Sequence, residues 1–261
     1  MLKAKLAHGL LLACLLLTSA PAIAAAPIVA AASDLQFALT EAAEQFQQET
    51  GHDLRLNFGS SGNFRRQIAQ GAPFELYLSA DERYVQALYE EGHTQDEGVN
   101  YAIGRLVWMQ QAGRGDLPSD DAPLAGVAAA LEAQESGTTE RIALANPEHA
   151  PYGVAAQQTL EHAGLWEQTE SLRVLGENVS QATQFALSDD ARGGLVAYSL
   201  ALAPGLNERS EYVLIPEAWH NPLRQRMVLT NQAGDVATAF YQWLQEEEGQ
   251  SILRTYGFSV E

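Results

Sequence analysis

Cysteine and lysine are nearly absent from this chain of 261 residues: Cys14 is the one cysteine, and Lys3 and Lys5 are the only lysines. Past residue 14 the chain therefore holds no disulfide, no thiolate metal site and no cysteine nucleophile. Beyond Lys5, 13 arginines stand against 33 acidic residues, a formal charge of −20 compared with −18 for the whole chain. That balance argues against nucleic acid or an anionic membrane surface as partner, since both require a basic face. Screening confines charge effects to about 8 Å at physiological salt, so local dipoles still decide what a cleft binds. The six histidines show no paired zinc spacing. A P-loop, a dinucleotide glycine fingerprint and a nucleophile elbow are all missing. The sequence carries no evident catalytic machinery, which points away from an enzyme.

What is present begins with a leader. Lys3 and Lys5 precede the apolar run Leu10 to Leu17 and the small-residue stretch Ser19-Ala20-Pro21-Ala22-Ile23-Ala24. This is the order of a secretory signal peptide over residues 1–24, and the apolar run is too short for a permanent membrane span. Leu11-Leu12-Ala13-Cys14 offers a competing reading as a lipobox, with Cys14 as a lipid anchor. The apolar run continues past Cys14 into an ordinary cleavage site, so export as a soluble protein is the favoured expectation.

From Ile28 onward strand-like runs alternate with helical ones, the pattern of an α/β protein with a largely parallel sheet. Leu35, Ala38, Leu39, Ala42, Ala43 and Phe46 recur at helical spacing up to Gly51, a natural helix stop. Helices are expected over about Asn63 to Gln70 and Gly153 to Ala163, and a strand over Ile103 to Met109. The remaining length, about 235 residues, fits two lobes better than one core. Residues 25–105 and 224–261 are expected to form a discontinuous lobe, residues 106–223 a second. Strands near Tyr101 to Trp108 and Leu223 to Leu229 should join them.

The candidate site residues stand at junctions between strands and helices. Ser33 follows Ile28-Val29-Ala30-Ala31-Ala32, and Ser61 lies in Phe58-Gly59-Ser60-Ser61-Gly62. A serine at a helix start combines a hydroxyl with unpaired N–H groups at the positive end of the helix dipole, so two such junctions make a cradle for a small oxyanion. Asp34 is expected to turn its carboxylate to solvent and offer only its N–H. Tyr152 follows the stiff loop Asn146-Pro147-Glu148-His149-Ala150-Pro151 and can offer an N–H and a hydroxyl. Val179, after Glu177-Asn178, would present an N–H from another helix start. Tyr198 is a second possible hydroxyl donor, with core packing as the plainer reading. Glu148 and His149 lack any nucleophile partner and read as a capped turn.

These segments carry a resemblance. Ala31-Ala32-Ser33, Phe58-Gly59-Ser60-Ser61-Gly62, Gln67-Ile68-Ala69-Gln70-Gly71-Ala72-Pro73, Leu78-Ser79-Ala80-Asp81, Tyr101-Ala102-Ile103-Gly104-Arg105-Leu106 and Asn146 to Gly153 occur in this order. From about Pro27 to Phe258 the chain resembles the periplasmic molybdate-binding proteins of ABC transporters, the ModA family. The resemblance implies a type II periplasmic binding fold: two lobes with mixed sheets flanked by helices, and a ligand cleft between them. It also implies a monomer that hands its ligand to an ABC permease. Carried over by position, the ligand would meet the hydroxyl and N–H of Ser33 and Ser61 and the N–H groups of Tyr152 and Val179. Some members have alanine at the position of Tyr152 and a tyrosine that aligns with Ala197. Tyr198 is one residue out of that register, which favours Tyr152 as the source of a phenolic hydroxyl.

A site composed of donors accepts a deprotonated dianion and disfavours hydrogen phosphate, whose proton needs an acceptor. Sulfate must then be rejected by size, while molybdate and tungstate are nearly indistinguishable. The alternatives are a ferric-ion or other oxyanion carrier (sulfate or phosphate) on the same fold. Iron would be favoured by Tyr152, Tyr198 and Asp34 all pointing inward. A cofactor-bearing transferase on this architecture lacks the cysteine for covalent attachment. No cofactor is expected, and no metal beyond the bound oxyanion.

Overall fold

The structure, a computed structural model, describes residues 26–260. The expected leader over residues 1–24, with Cys14, lies outside them. In chain order the first half supplies β1 (Ile28–Ala32), α1 (Gln36–Thr50), β2 (Arg55–Gly59), α2 (Ser61–Ala69), β3 (Leu76–Ser79), α3 (Glu82–Glu90) and β4 (Val99–Gly104). Then come β5 (Leu106–Gln111), α4 (Ala125–Glu135), β6 (Arg141–Ala145), α5 (Pro151–His162), β7 (Arg173–Gly176), α6 (Val179–Ala186), β8 (Ala191–Ala197), α7 (Tyr198–Ala201) and β9 (Ser210–Leu214). The chain closes with β10 (Leu223–Leu229), α8 (Asp235–Trp243) and α9 (Glu247–Thr255).

The strands form two five-stranded mixed sheets, ordered β2-β1-β3-β10-β4 and β7-β6-β8-β5-β9. In the first, β1 runs parallel to β2 and β3, and in the second β6 runs parallel to β7 and β8. One strand in each, β10 and β5, is antiparallel to both its neighbours. β1 and β6 are short apolar runs buried at nearly every residue, as strands covered on both faces must be. α1 packs Leu39, Ala42 and Phe46 on one face of the first sheet, where Phe46 meets Phe240 edge-on at 5.1 Å. α2 and α3 cover the other face with Phe64, Ile68, Val85 and Leu88. A separate core around Trp108, Ile142, Leu144, Leu160 and Leu195 fills the second sheet.

Several boundaries differ from the sequence reading for identifiable reasons. Gly51 ends α1 with φ 75°, as expected of a left-handed stop. α2 starts two residues earlier than expected because Ser60 caps it, accepting from the Asn63 N–H. α5 starts at Pro151, whose missing N–H and fixed φ suit a first helical position. The apolar run over 103–109 is not one strand: Ile103 pairs with Arg224 in the first sheet, whereas Val107 pairs with Val196 and Leu214 in the second. The chain changes sheets at Arg105, whose carbonyl accepts from the Tyr198 N–H at 2.9 Å. β10 lies wholly in the first sheet, so the return crossing falls upstream of it, between Leu214 and Leu223.

Gly104 at the first crossing has a packing role. A Cβ there would collide with the Tyr152 hydroxyl and stand 2.7 Å from Gln225 Nε2. Gly104→Ala is expected to cost about 1–3 kcal/mol by overpacking. Adding Tyr152→Phe should recover part of that loss, and a double-mutant cycle from urea unfolding measures the coupling.

Candidate functional site

Four junctions converge on one cavity, and each follows the C-terminal end of a parallel strand: β1 into Ser33, β2 into α2, β6 into α5, and β7 into α6. In open α/β sheets that end, with its helix N-termini, is where ligands bind. The cavity is lined by Ala32, Ser33, Asp34, Gly59, Ser60, Ser61, Ala80, Ala150, Pro151, Tyr152 and Val179. All five residues expected at the site, Ser33, Asp34, Ser61, Tyr152 and Val179, stand on its wall. The cavity volume is ≈ 10 Å³, far below the several hundred Å³ of pockets for organic ligands. A larger cleft of ≈ 240 Å³ lies beside Asp81, Arg83, Gln158 and Arg224, but no set of free helix starts meets there.

The backbone donors can be followed one by one. At the start of α2, Gly62 N–H donates to the His149 carbonyl at 2.9 Å, Asn63 N–H to Ser60 Oγ at 3.3 Å, and Phe64 N–H to the Ser60 carbonyl at 3.1 Å. At the start of α5, Gly153 and Val154 donate to the Ala150 carbonyl, and Pro151 has no N–H. At the start of α6, Ser180 N–H donates to Ser33 Oγ at 3.2 Å, Gln181 N–H to Asn178 Oδ1 at 3.0 Å, and Ala182 N–H to the Asn178 carbonyl. Each helix start leaves one N–H with no acceptor among the described residues: Ser61, Tyr152 and Val179. Buried N–H groups are seldom left unpaired, so three of them around one cavity mark a site that takes acceptors.

The two serine hydroxyls are poised in the same sense. Ser33 Oγ accepts from Ser180 N–H at 3.2 Å, and Ser61 Oγ accepts from Ala80 N–H at 3.0 Å. Both side chains are buried. With an N–H already on each oxygen, what the hydroxyl has left to give is its proton. Arginine, lysine and histidine are missing from the lining residues.

Asp34 corrects the sequence reading. Its carboxylate does not face solvent: it is 1% exposed, and Oδ2 accepts from Gln225 Nε2 at 2.6 Å. The backbone N–H groups of Asp34 and Leu35 also act on it, so the side chain has folded back onto the orphan donors of its own helix start. Burial pushes its carboxyl up from 3.8 to about 6, against the lowering by Gln225 and Tyr152. Oδ1 is buried without a partner.

Tyr152 is likewise corrected in part. Its hydroxyl accepts from Gln225 Nε2 at 3.3 Å and lies beside the Asp34 carboxylate, so the group it leaves over is its N–H. Tyr198 packs against Tyr212 at 5.3 Å and beneath Gly257, away from the cavity lining. The inward trio of Tyr152, Tyr198 and Asp34 that would favour iron is therefore not assembled, and no cluster of three metal-ligating side chains occurs among the described residues. Glu148 is exposed, with its N–H on Asn146 Oδ1 at 3.0 Å, the turn the sequence suggested. Sequence reasoning missed Ser180, Ala80 and Gln225, which fill the acceptor sides or brace Asp34. None of them carries a local signal, because each is defined by a partner more than 15 residues away.

The chain matches known proteins over most of its length. A family model described as bacterial extracellular solute-binding protein matches residues 28–259. The molybdate-binding protein ModA of Rhodobacter capsulatus is 33% identical over 244 residues, covering 92% of this chain and 91% of the relative. ModA of Azotobacter vinelandii is 32% identical over 236 residues, 89% of each chain. The solved structure of the Azotobacter vinelandii periplasmic molybdate-binding protein superposes with a TM-score of 0.79 at 28% identity, covering 90% of this chain and 99% of that one.

The raised carboxyl of Asp34 has a consequence for stability. A folded-state value of about 6 against 3.8 means the folded protein binds the extra proton between these limits. Stability is then highest below the lower value and is lost as pH rises through the upper one, by about 3 kcal/mol in all. Asp34→Asn should therefore be more stable than the wild type at pH ~8, with the difference closing near pH ~4. Urea unfolding at both pH values checks it.

Proposed function

The chain belongs to the bacterial extracellular solute-binding proteins, and from that premise we propose that it captures molybdate, and tungstate equally, in the cavity at Ser33 and Ser61 and delivers it to an ABC permease. It is a binding protein and not an enzyme. Export through the segment over residues 1–24 places it in the periplasm, where it acts as a soluble monomer. The observation that supports the site is the donor accounting: one free N–H at each of three helix starts, and two hydroxyls whose acceptor sides are filled.

In this reading the oxyanion receives the hydroxyl protons of Ser33 and Ser61 and the N–H groups of Ser61, Tyr152 and Val179. Asp34 completes the wall, with its own N–H shared with its carboxylate. Hydrogen bonds to a charged group contribute about 1.5–3 kcal/mol each, so neutral donors suffice without a cation. The small cavity sets size: a smaller ion such as sulfate leaves some donors out of reach, and a buried donor left unpaired costs about 1–3 kcal/mol. Opening and closing is a hinge motion about the two crossings between the sheets.

Calorimetric titration of the mature protein with molybdate, tungstate, sulfate and phosphate tests the reading. Tight binding of the first two alone is expected, with Ser61→Ala and Ser33→Ala each weakening it about 10- to 100-fold. Equal binding of sulfate, or unaltered affinity in both variants, would contradict it.

The dianion also acts on Asp34. A double negative charge beside a buried carboxylate raises its affinity for a proton further, so binding above pH ~6 takes up a proton. Affinity should fall as pH rises, by up to about tenfold per unit, over a range in which molybdate stays a dianion. Asp34→Asn should remove the slope. Titrations between pH ~6 and ~9 in buffers of different ionisation enthalpy count the proton directly.

A further inference from the structure

His149 is an ionisable side chain that bridges the two halves of the site without lining the cavity. It comes from the loop between β6 and α5, on the second sheet, and it is 7% exposed. Its Nδ1 lies 2.8 Å from Ser60 Oγ, and its carbonyl takes both the Ser60 hydroxyl at 3.0 Å and the Gly62 N–H at 2.9 Å. Nε2 faces the Glu177 carboxylate at 3.5 Å, just ahead of α6. Ser60 and Gly62 flank Ser61 on the first sheet's side, and a Cβ at Gly62 would stand 2.8 Å from the His149 carbonyl oxygen. The two halves thus meet at hydrogen-bond distance on either side of the residue with the free N–H and the free hydroxyl.

We propose that His149 is a positioning residue for ligand retention: a clasp that fastens the second-half loop onto Ser60 and Gly62 when the cleft is closed, and so sets the rate at which the oxyanion is released. This rests on the function proposed above. The ring touches neither the cavity nor the ligand, so its contribution acts through the closed state. A ligand enclosed on all sides leaves only after the halves part, and every contact that spans them must break first. Ser60 bonds the ring in either tautomer, giving its proton to Nδ1 or accepting from Nδ1–H while its own proton goes to the carbonyl. Removing the ring leaves a buried hydroxyl without one partner and lowers the population of the closed state. Apparent affinity falls with that population.

The backbone bond from Gly62 survives any substitution at position 149, so the effect isolates the side chain. The test measures molybdate association and release on the full mature chain by stopped-flow tryptophan fluorescence, for wild type, His149→Ala and His149→Asn. Release is expected to accelerate about 10- to 100-fold in His149→Ala while association stays within about threefold. His149→Asn, which keeps a hydrogen-bonding group near the place of Nδ1, should recover at least half of the effect on a logarithmic scale. The thermal midpoint of the ligand-free protein should be the same in all three. Unaltered release in His149→Ala, or a loss shared with association and accompanied by a lowered midpoint, would overturn the clasp. A wild type that fails to bind molybdate at all would contradict the proposed function instead. The clasp would then be decided by small-angle scattering, where it requires a larger radius of gyration in His149→Ala and is overturned by an equal one.

Discussion

Holding a doubly charged anion inside a protein without a cation imposes one requirement: every group that faces it must be a donor with nothing else to donate to. A neutral hydroxyl or amide satisfies this only if the rest of the fold has occupied its acceptor side and left its proton free. Ser180 N–H on Ser33 Oγ and Ala80 N–H on Ser61 Oγ do so for the two hydroxyls. Asn178 together with Ser33 Oγ, Ala150 and the Ser60–His149 pair do so for the three helix starts, absorbing every early N–H except one in each. The acidity of the chain is compatible with this arrangement because the donors act at contact distance, inside the range where screening and distant charge matter little.

The architecture follows from that requirement. Parallel strands end in helix starts on one edge of a sheet, so two sheets with those edges facing bring four such starts together. The chain crosses to the second sheet just before the reversed strand β5 and returns to the first just before the reversed strand β10. Behind the cavity, Tyr101 donates to Gln225 Oε1 at 2.6 Å, and Gln225 in turn donates to Asp34. This buried chain of neutral groups holds the one carboxylate of the wall in place without a counter-charge, and burial raises its proton affinity accordingly. Asp34 is thus the point at which the site departs from a purely neutral cradle.

Much of this was legible in the sequence because it is written locally. Strand-to-helix junctions announce themselves by apolar runs that end in Ser33, in Gly59-Ser60-Ser61-Gly62, or in Asn178-Val179, and the physics of helix starts then points to a small oxyanion. The side-chain direction of Asp34 was not legible. An aspartate in a first helical turn normally faces water, and what draws this one inward is Gln225, 191 residues away. The same holds for the Tyr152 hydroxyl, which accepts from Gln225, 73 residues away. The break at Arg105 was hidden for a different reason: an unbroken apolar run gives no sign that its two ends belong to different sheets.

The central claim is that donors alone hold the oxyanion, and a crystal structure of the mature protein with molybdate bound tests it most directly. The account predicts ligand oxygens about 3 Å from Ser33 Oγ, Ser61 Oγ and the N–H groups of Ser61, Tyr152 and Val179, with no cationic side chain in contact. An oxyanion seated on arginine, or lodged outside this cavity, would contradict it.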